Sequence, residues 1–395
     1  MTNYTEPYRP QFHFTPETGW MNDPNGMVYY DGKYHLFYQF TPGNIDTFGP
    51  KHWGHAVSMD LIHWEHLPVA LSPDSLGEIW SGSVVVDWEN TSGFRSGDEA
   101  VLVAIFTHFK DGLQRQSLAY SNDRGRNWTK YAGNPVIPNP GLADFRDPKV
   151  VWHPGTERWV MVLAAGDRVL FYTSPNLIDW KLTSQFGELE GSHGGVWECP
   201  DLFPLPVDGN PAKERWVLLV SVGNGAPNGG SGTQYFIGDF NGETFTNHYP
   251  ATKVNWIDYG KDNYAGVTYS GIHDRRIFMG WMNNWSYAYK VPTRPWRGAM
   301  TLPRALELVT NQDGELQLRS LPIPEMQSLR GKHIQIVDEN ISVAGNRPLI
   351  KDVYPFILEI KTEIEPMTCT QVGIRLKTKA NGITIIGYDV KAQKF

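Results

Sequence analysis

Apolar and polar residues in this chain come in short runs, and no helix of ordinary length can be read before residue 320. Met27–Tyr30, Tyr34–Tyr38, Val101–Phe106, Trp159–Leu163, Trp216–Val220 and Arg276–Trp281 are alternating or continuously apolar, and all are set off by turns. Each predicts a β-strand. A turn motif recurs between them: a small residue, an Asp or Asn, a short bend and a closing aromatic. It occurs at Ser58–Trp64, Ser121–Trp128 and Ser174–Trp180, with a weaker copy at Gly238–Phe245. A second series marks strand starts at Trp20, Trp80, Phe145, Trp197 and Tyr264. Five units of roughly 50 to 65 residues, each with about four strands, predict an all-β fold, a five-bladed β-propeller.

The repeat stops after Leu302–Leu308. The expected organisation is a propeller over 1–318, a linker over 319–333 with a short helical turn at 324–330, and an all-β domain over 334–395. Strand-like text at Phe356–Ile364, Gln371–Leu376 and Ile383–Val390 suggests a β-sandwich-like domain that is only partly present.

Composition supports this reading. Of 395 residues 13% are aromatic, with 39 Gly and 28 Pro, which favours short strands and tight turns. The net charge of -7 argues against a nucleic-acid partner. Cys199 and Cys369 are far apart and read as free thiols. No apolar stretch approaches the roughly 18 residues that span a membrane, and the first residues lack a secretion signal. The expected location is cytoplasmic, or extracellular if a signal was removed. His52, His55, His63 and His66 follow strand and turn positions, so neither a metal nor a cofactor is expected. Oligomeric state is left open.

Chemistry enters with three acids. Asp23 lies in Trp20-Met21-Asn22-Asp23-Pro24-Asn25-Gly26, where turn residues aim its side chain. Trp20 offers a flat surface of the kind a sugar packs against. Asp147 lies in Phe145-Arg146-Asp147-Pro148 and Glu198 in Trp197-Glu198-Cys199-Pro200. The repeat phase puts all three on inner strands of different blades, at one mouth of the channel. Asn22 and turn amides favour an ionised Asp23, the setting of a nucleophile. An apolar setting beside another carboxylate favours a protonated Glu198, the setting of a general acid. Arg146 beside Asp147 suggests an acid kept ionised by pairing, suited to gripping hydroxyls.

In these three motifs the chain resembles glycoside hydrolase family 32, the β-fructosidases: invertases, inulinases and levanases. The likeness is strong over about residues 9 to 320. It implies a retaining double displacement in which Asp23 is the nucleophile, Glu198 the acid/base and Asp147 the transition-state stabiliser. The two reacting carboxylates would then lie roughly 5 to 5.5 Å apart. It also implies substrate contacts from Trp20, Asn22, Gln39, Phe48, Trp53, Trp80, Ser81, Arg146, Asp262 with Tyr264, and Trp281. Gln39 and Ser81 gain support because a buried amide or hydroxyl needs a partner. One departure concerns a Trp usual in the family eight residues after the pocket Gln. Thr47 stands there, with Phe48 fitting one residue later. The segments Gly191–Phe203, Trp281–Trp285 and Pro292–Arg297 look most like exo-acting fructanases. The implied activity is release of terminal fructose from levan or inulin, with sucrose also cleaved. A sucrose-preferring invertase, an endo-levanase, a five-bladed glycosidase acting on arabinan or xylan, and a non-catalytic glycan-binding propeller stay open.

Overall fold

Runs such as Val101–Phe106 are apolar throughout because the strand is buried on both faces. Val101, Val103 and Ile105 pack toward one neighbouring sheet, and Leu102, Ala104 and Phe106 toward the other. The same alternation separates Met161 and Leu163 from Val160 and Val162. It also separates Leu218 and Val220 from Val217 and Leu219. Each sheet is thus sandwiched between two others.

The computed structural model describes residues 4–47, 49–337, 340, 348–350, 357–377 and 382–395. Blade one consists of β1 (Gly19–Tyr30), β2 (Lys33–Thr41), β3 (His52–Ser58) and β4 (Trp64–Leu71). Blade two holds β5 (Glu78–Asp87), β6 (Val101–Lys110), β7 (Leu113–Ser121) and β8 (Thr129–Lys130). Blade three holds β9 (Arg146–His153), β10 (Arg158–Ala164), β11 (Val169–Ser174) and β12 (Lys181–Phe186). Blade four holds β13 (Trp197–Val207), β14 (Asn210–Val222), β15 (Gly232–Phe240) and β16 (Phe245–Asn247), with β17 (Asn255–Trp256) beside β15. Blade five holds β18 (Tyr264–Thr268), β19 (Arg276–Trp281), β21 (Arg304–Thr310) and β22 (Leu316–Pro322). Between its second and third strands, β20 (Trp296–Arg297) runs parallel to the start of β1.

The innermost strands β1, β5, β9, β13 and β18 pack each against the next, and β18 packs against β1. The ring is a five-bladed propeller, and five apolar clusters fill its five junctions. At the closing junction the Tyr29 N–H donates to the Ser270 carbonyl at 2.9 Å, and the Ser270 N–H to the Met27 carbonyl at 3.0 Å.

The recurring turn joins the third and fourth strands of successive blades. The Asp60 side chain accepts the Ile62 and His63 N–H groups, and the Trp64 indole donates to the Leu61 carbonyl at 3.1 Å. The Trp128 and Trp180 indoles repeat this bond to Gly125 and Leu177. The aromatic that ends the motif therefore ties down the turn that precedes it.

The expected boundary at 318 falls too early. Leu318 is buried in the junction between blades four and five, and β22 pairs with β21 as far as Pro322. The first compact unit runs from Met1 to Met326 and the second from Gln327 to Phe395. Residues 319–322 of the expected linker are therefore the end of the propeller's last strand. The helical turn is present as a 3-10 helix at Pro324–Leu329. In the second unit β23 (Gln371–Lys377) and β24 (Ile383–Asp389) form an antiparallel hairpin. Residues 357–364 are not a strand, and Phe356, expected to start one, lies outside the described residues. Among the described residues no helix is long and apolar enough to cross a membrane.

Gly26 shows how tightly the inner ring is packed. Its φ is +53°, and a Cβ there would lie 2.7 Å from Phe37 and 2.9 Å from Val84. Gly26→Ala should destabilise the propeller by about 3 kcal/mol through backbone strain and overpacking, read as a lower urea midpoint.

Candidate active site

Every inner strand is irregular at the same height. Asn22 and Asp23 together face Gln39, because the register slips between Met21 and Pro24. Two residues stand against one again at Trp80–Ser81 of β5, Asp147–Pro148 of β9, Cys199–Pro200 of β13 and Ala265–Gly266 of β18. These are β-bulges, which re-aim side chains and bend strands. Asp147, Cys199 and Ala265 adopt φ of 64°, 43° and 54° there, in the left-handed region. Non-glycine residues in that region carry about 1–3 kcal/mol of strain each.

The bulges and the residues beside them bring groups from all five blades together. Asp23 Oδ2 accepts from Ser81 Oγ at 2.6 Å, and Oδ1 accepts from the Asn22 amide at 2.9 Å. The Cys199 thiol lies 3.5 Å from both Asp23 Oδ2 and Asp147 Oδ2. Burial and the surrounding carboxylates push that thiol well above its ordinary pKa, so it keeps the proton it donates. The Cys199 N–H also donates to Asp147 Oδ2 at 3.0 Å. Glu198 Oε1 accepts from Arg146 Nη2 at 3.1 Å, and its Oε2 accepts from the Tyr264 hydroxyl. Tyr264 is held well above the usual phenol range, chiefly by burial, so it too stays a donor.

Burial pushes Asp147 up to about 7, and the negative charges of Glu198 and Asp23 act in the same direction. Arg146 opposes this without prevailing. Its Nε lies 3.9 Å from Asp147, while its guanidinium bonds to Glu198, Gln114 and Asp144. The expectation that pairing keeps Asp147 ionised is therefore corrected: Arg146 lowers Asp147 less than burial raises it, and the guanidinium is shared with other partners.

The cavity over these groups measures about 230 Å³. Its lining comprises Asn22, Asp23, Gln39, Lys51, Trp80 and Ser81 from the first two blades, then Gln114, Asp144, Arg146, Asp147, Glu198 and Trp285. Gln39 Nε2 donates to the Ile79 carbonyl at 3.0 Å, and its buried Oε1 has no partner.

The profile of the glycosyl hydrolases family 32 N-terminal domain matches residues 13–320. The chain belongs to glycosyl hydrolase family 32. It is 56% identical to a levanase of Bacillus subtilis over 99% of its own length, and spans 58% of that relative. It is 44% identical to an extracellular exo-inulinase of Aspergillus niger, covering 84% of this chain and 67% of the relative. Among solved structures, a fructofuranosidase from Schwanniomyces occidentalis complexed with fructose superposes with a TM-score of 0.83 at 33% identity, covering 99% of this chain and 79% of that one.

Within this family 32 propeller the expected ligand contacts divide into two sets. Asn22, Asp23, Gln39, Trp80, Ser81, Arg146, Asp147 and Glu198 all line the cavity. Trp20, Trp53 and Trp281 do not: each is completely buried in a junction between blades. Strand alternation turns an aromatic away from the channel when its neighbouring acid faces it. Trp20 instead supports the site through its indole, which donates to Asn22 Oδ1 at 3.1 Å. Trp53 similarly donates to the Trp80 carbonyl at 2.9 Å. Asp262 is exposed, binds the Tyr287 hydroxyl and is absent from the lining. Trp285, four residues after Trp281, supplies the aromatic wall. Phe48 lies outside the described residues.

Asp147 gives the family 32 site a measurable pH signature. Its folded pKa is about 7 against an ordinary value of 3.8. Between those values the folded chain holds a proton that the unfolded chain releases, so this stabilising contribution is lost as pH rises. Asp147→Asn removes the dependence and can still accept the Cys199 N–H. The variant should gain stability over the parent, on the order of 4 kcal/mol, as pH rises from 3.8 to about 7, read from melting temperatures across that range.

Proposed function

We propose that this chain carries the catalytic domain of a retaining β-fructosidase that releases terminal fructose from levan or inulin and also cleaves sucrose. The observation that carries this reading is the meeting of Asp23, Asp147 and Glu198, from three blades, in one cavity of about 230 Å³. That volume is small beside the roughly 300–1,000 Å³ typical of ligand pockets. It suits one sugar unit, which favours exo action. The names of the relatives, levanase and exo-inulinase, support the same substrate class.

In the first step a carboxylate oxygen of Asp23 attacks the anomeric carbon of the terminal fructosyl unit. Ser81, Asn22 and Cys199 hold that carboxylate. The glycosidic bond breaks as Glu198 gives its proton to the departing oxygen. In the second step Glu198 takes a proton from water, whose oxygen displaces Asp23 and frees fructose. Arg146 and Tyr264 fix the direction in which Glu198 handles the proton. Asp147 and Gln39, in the lining, face the fructose hydroxyls, and Trp285 bounds the sugar on the fifth blade.

Asp23→Ala should lower kcat by on the order of 10⁴-fold or more, with a native melting curve. In the parent, mass spectrometry of quenched reactions should find a fructosyl group on Asp23. Fructose alone should accumulate from levan and inulin. Release of oligosaccharides would overturn exo action, and hydrolysis of arabinan alone would overturn the fructosidase reading. Trp285→Ala should raise KM about tenfold, by loss of roughly 1.4 kcal/mol of binding. Trp53→Phe should lower the melting temperature and leave KM within about twofold, since that ring contacts protein only.

A further inference from the structure

The cavity contains a cation that none of the three acid motifs supplies. Lys51 precedes β3 and is only 5% exposed, yet it lines the cavity beside Asp23, Gln39, Trp80 and Ser81. Its backbone is fastened to blade two at both ends. The Lys51 N–H donates to Glu78 Oε2 at 3.4 Å, and the Ile79 N–H donates to the Lys51 carbonyl at 3.0 Å. Its ammonium sits 4.2 Å from the centre of the Trp80 ring. That indole is fixed in turn by stacking on Phe109 at 4.3 Å and by donating to Glu78 at 3.1 Å. A cation held over an indole face within about 6 Å is attracted to the ring. The position of the charge is thus set by the fold.

The charged groups around Lys51 come from several inner strands. Asp23 lies on β1, Glu78 on β5, Arg146 and Asp147 on β9, and Glu198 on β13, with Asp144 just before β9. Arg146, the other cation of the lining, is bonded to Asp144 and Glu198. Asp23 is held by donors that carry no charge: Ser81, Asn22 and Cys199. We propose that Lys51 is a charge-balancing residue that offsets the excess negative charge that Arg146 alone would leave in the cavity's acid set.

Burial pulls the Lys51 ammonium down to about 8, while Asp23, Glu198, Glu78 and Asp147 hold it up, Asp23 most strongly. It is therefore charged at neutral pH. Charge coupling is reciprocal, so an ammonium favoured by the carboxylates favours their ionised forms in return. This inference deepens the reading of the cavity as a hydrolytic site, and one of its two readouts is independent of activity.

The test compares the full chain with Lys51→Met, Lys51→Gln and Lys51→Arg. On whichever of sucrose or levan the parent hydrolyses, the acid limb of kcat/KM should move up by about one pH unit in the Met and Gln variants and stay in place in the Arg variant. A purely structural role would lower activity without moving the limb. The second readout is the pH dependence of the melting temperature. The loss of stability caused by Asp147, which begins at the ordinary value of 3.8 and ends at about 7, should extend further at its upper end in the Met and Gln variants and not in Arg. If the parent hydrolyses no fructan, the proposed function fails and the melting profile still decides the role of Lys51. If Lys51→Met does not fold, Lys51→Gln serves the same comparison. Superimposable profiles for the parent and the neutral variants would overturn the proposal.

Discussion

The structure depends on one constraint: each inner strand must present chemistry to the channel and a large apolar side chain to its neighbour within a few residues. A regular strand alternates strictly, so it can do this only at fixed parity. The bulge at the top of every inner strand changes that parity once. Below it, residues such as Val84 and Val150 pack into the junctions between blades. At it, Asp23, Ser81 and Asp147 face the cavity. The local strain at Asp147, Cys199 and Ala265 persists because junction packing around the whole ring over-determines those positions.

Charge sets the second constraint. Four carboxylates, those of Asp23, Asp144, Asp147 and Glu198, share the lining with two cations, Lys51 and Arg146. They come from three blades, so much of their mutual repulsion acts across blades and opposes closure of the ring. Neutral donors relieve part of it. The thiol of Cys199 is placed between Asp23 and Asp147 and can bond to either. Deeper in the channel, Lys149 lies 3.3 Å from Asp201, and both bond to the Thr268 backbone. That buried pair binds blades three, four and five together.

The strands and the three acids were legible in the sequence for related reasons. Runs buried on both faces are apolar throughout, and the spacing of turn motifs exposes the repeat even where single copies are weak. The roles of individual aromatics were not legible. Trp20, Phe145 and Trp197 stand beside acids in the sequence, but all three are fully buried in blade junctions. Adjacency along a regular strand separates side chains rather than joining them, and the Asn22–Asp23 bond forms only inside a bulge. Lys51 and Gln114 escaped notice because they enter from the segment before β3 and from the second blade's third strand, outside any motif. Asp144 carried a usable signal, two residues from Arg146 and so on the same side as the arginine it binds. Trp285 had one too, in the Trp281–Trp285 segment, with the roles of the two rings exchanged.

The same geometry explains why Arg146 does not hold Asp147 as sequence proximity suggests. Consecutive residues on an inner strand diverge, and Asp147 turns into the bulge with φ of 64°. The guanidinium instead crosses the gap between blades to Glu198 and turns back to Asp144. Asp147 is left with burial as its dominant influence and with backbone and thiol donors from Cys199. A group in that position gains or loses charge with small changes in its surroundings. Glu198, bonded to both a cation and a phenol, is oriented far more firmly. A proton-handling acid has to point consistently at one oxygen, whereas an acid that receives hydroxyls can adjust its charge as a ligand replaces water. The division of labour proposed for Glu198 and Asp147 therefore follows from where Arg146 is directed.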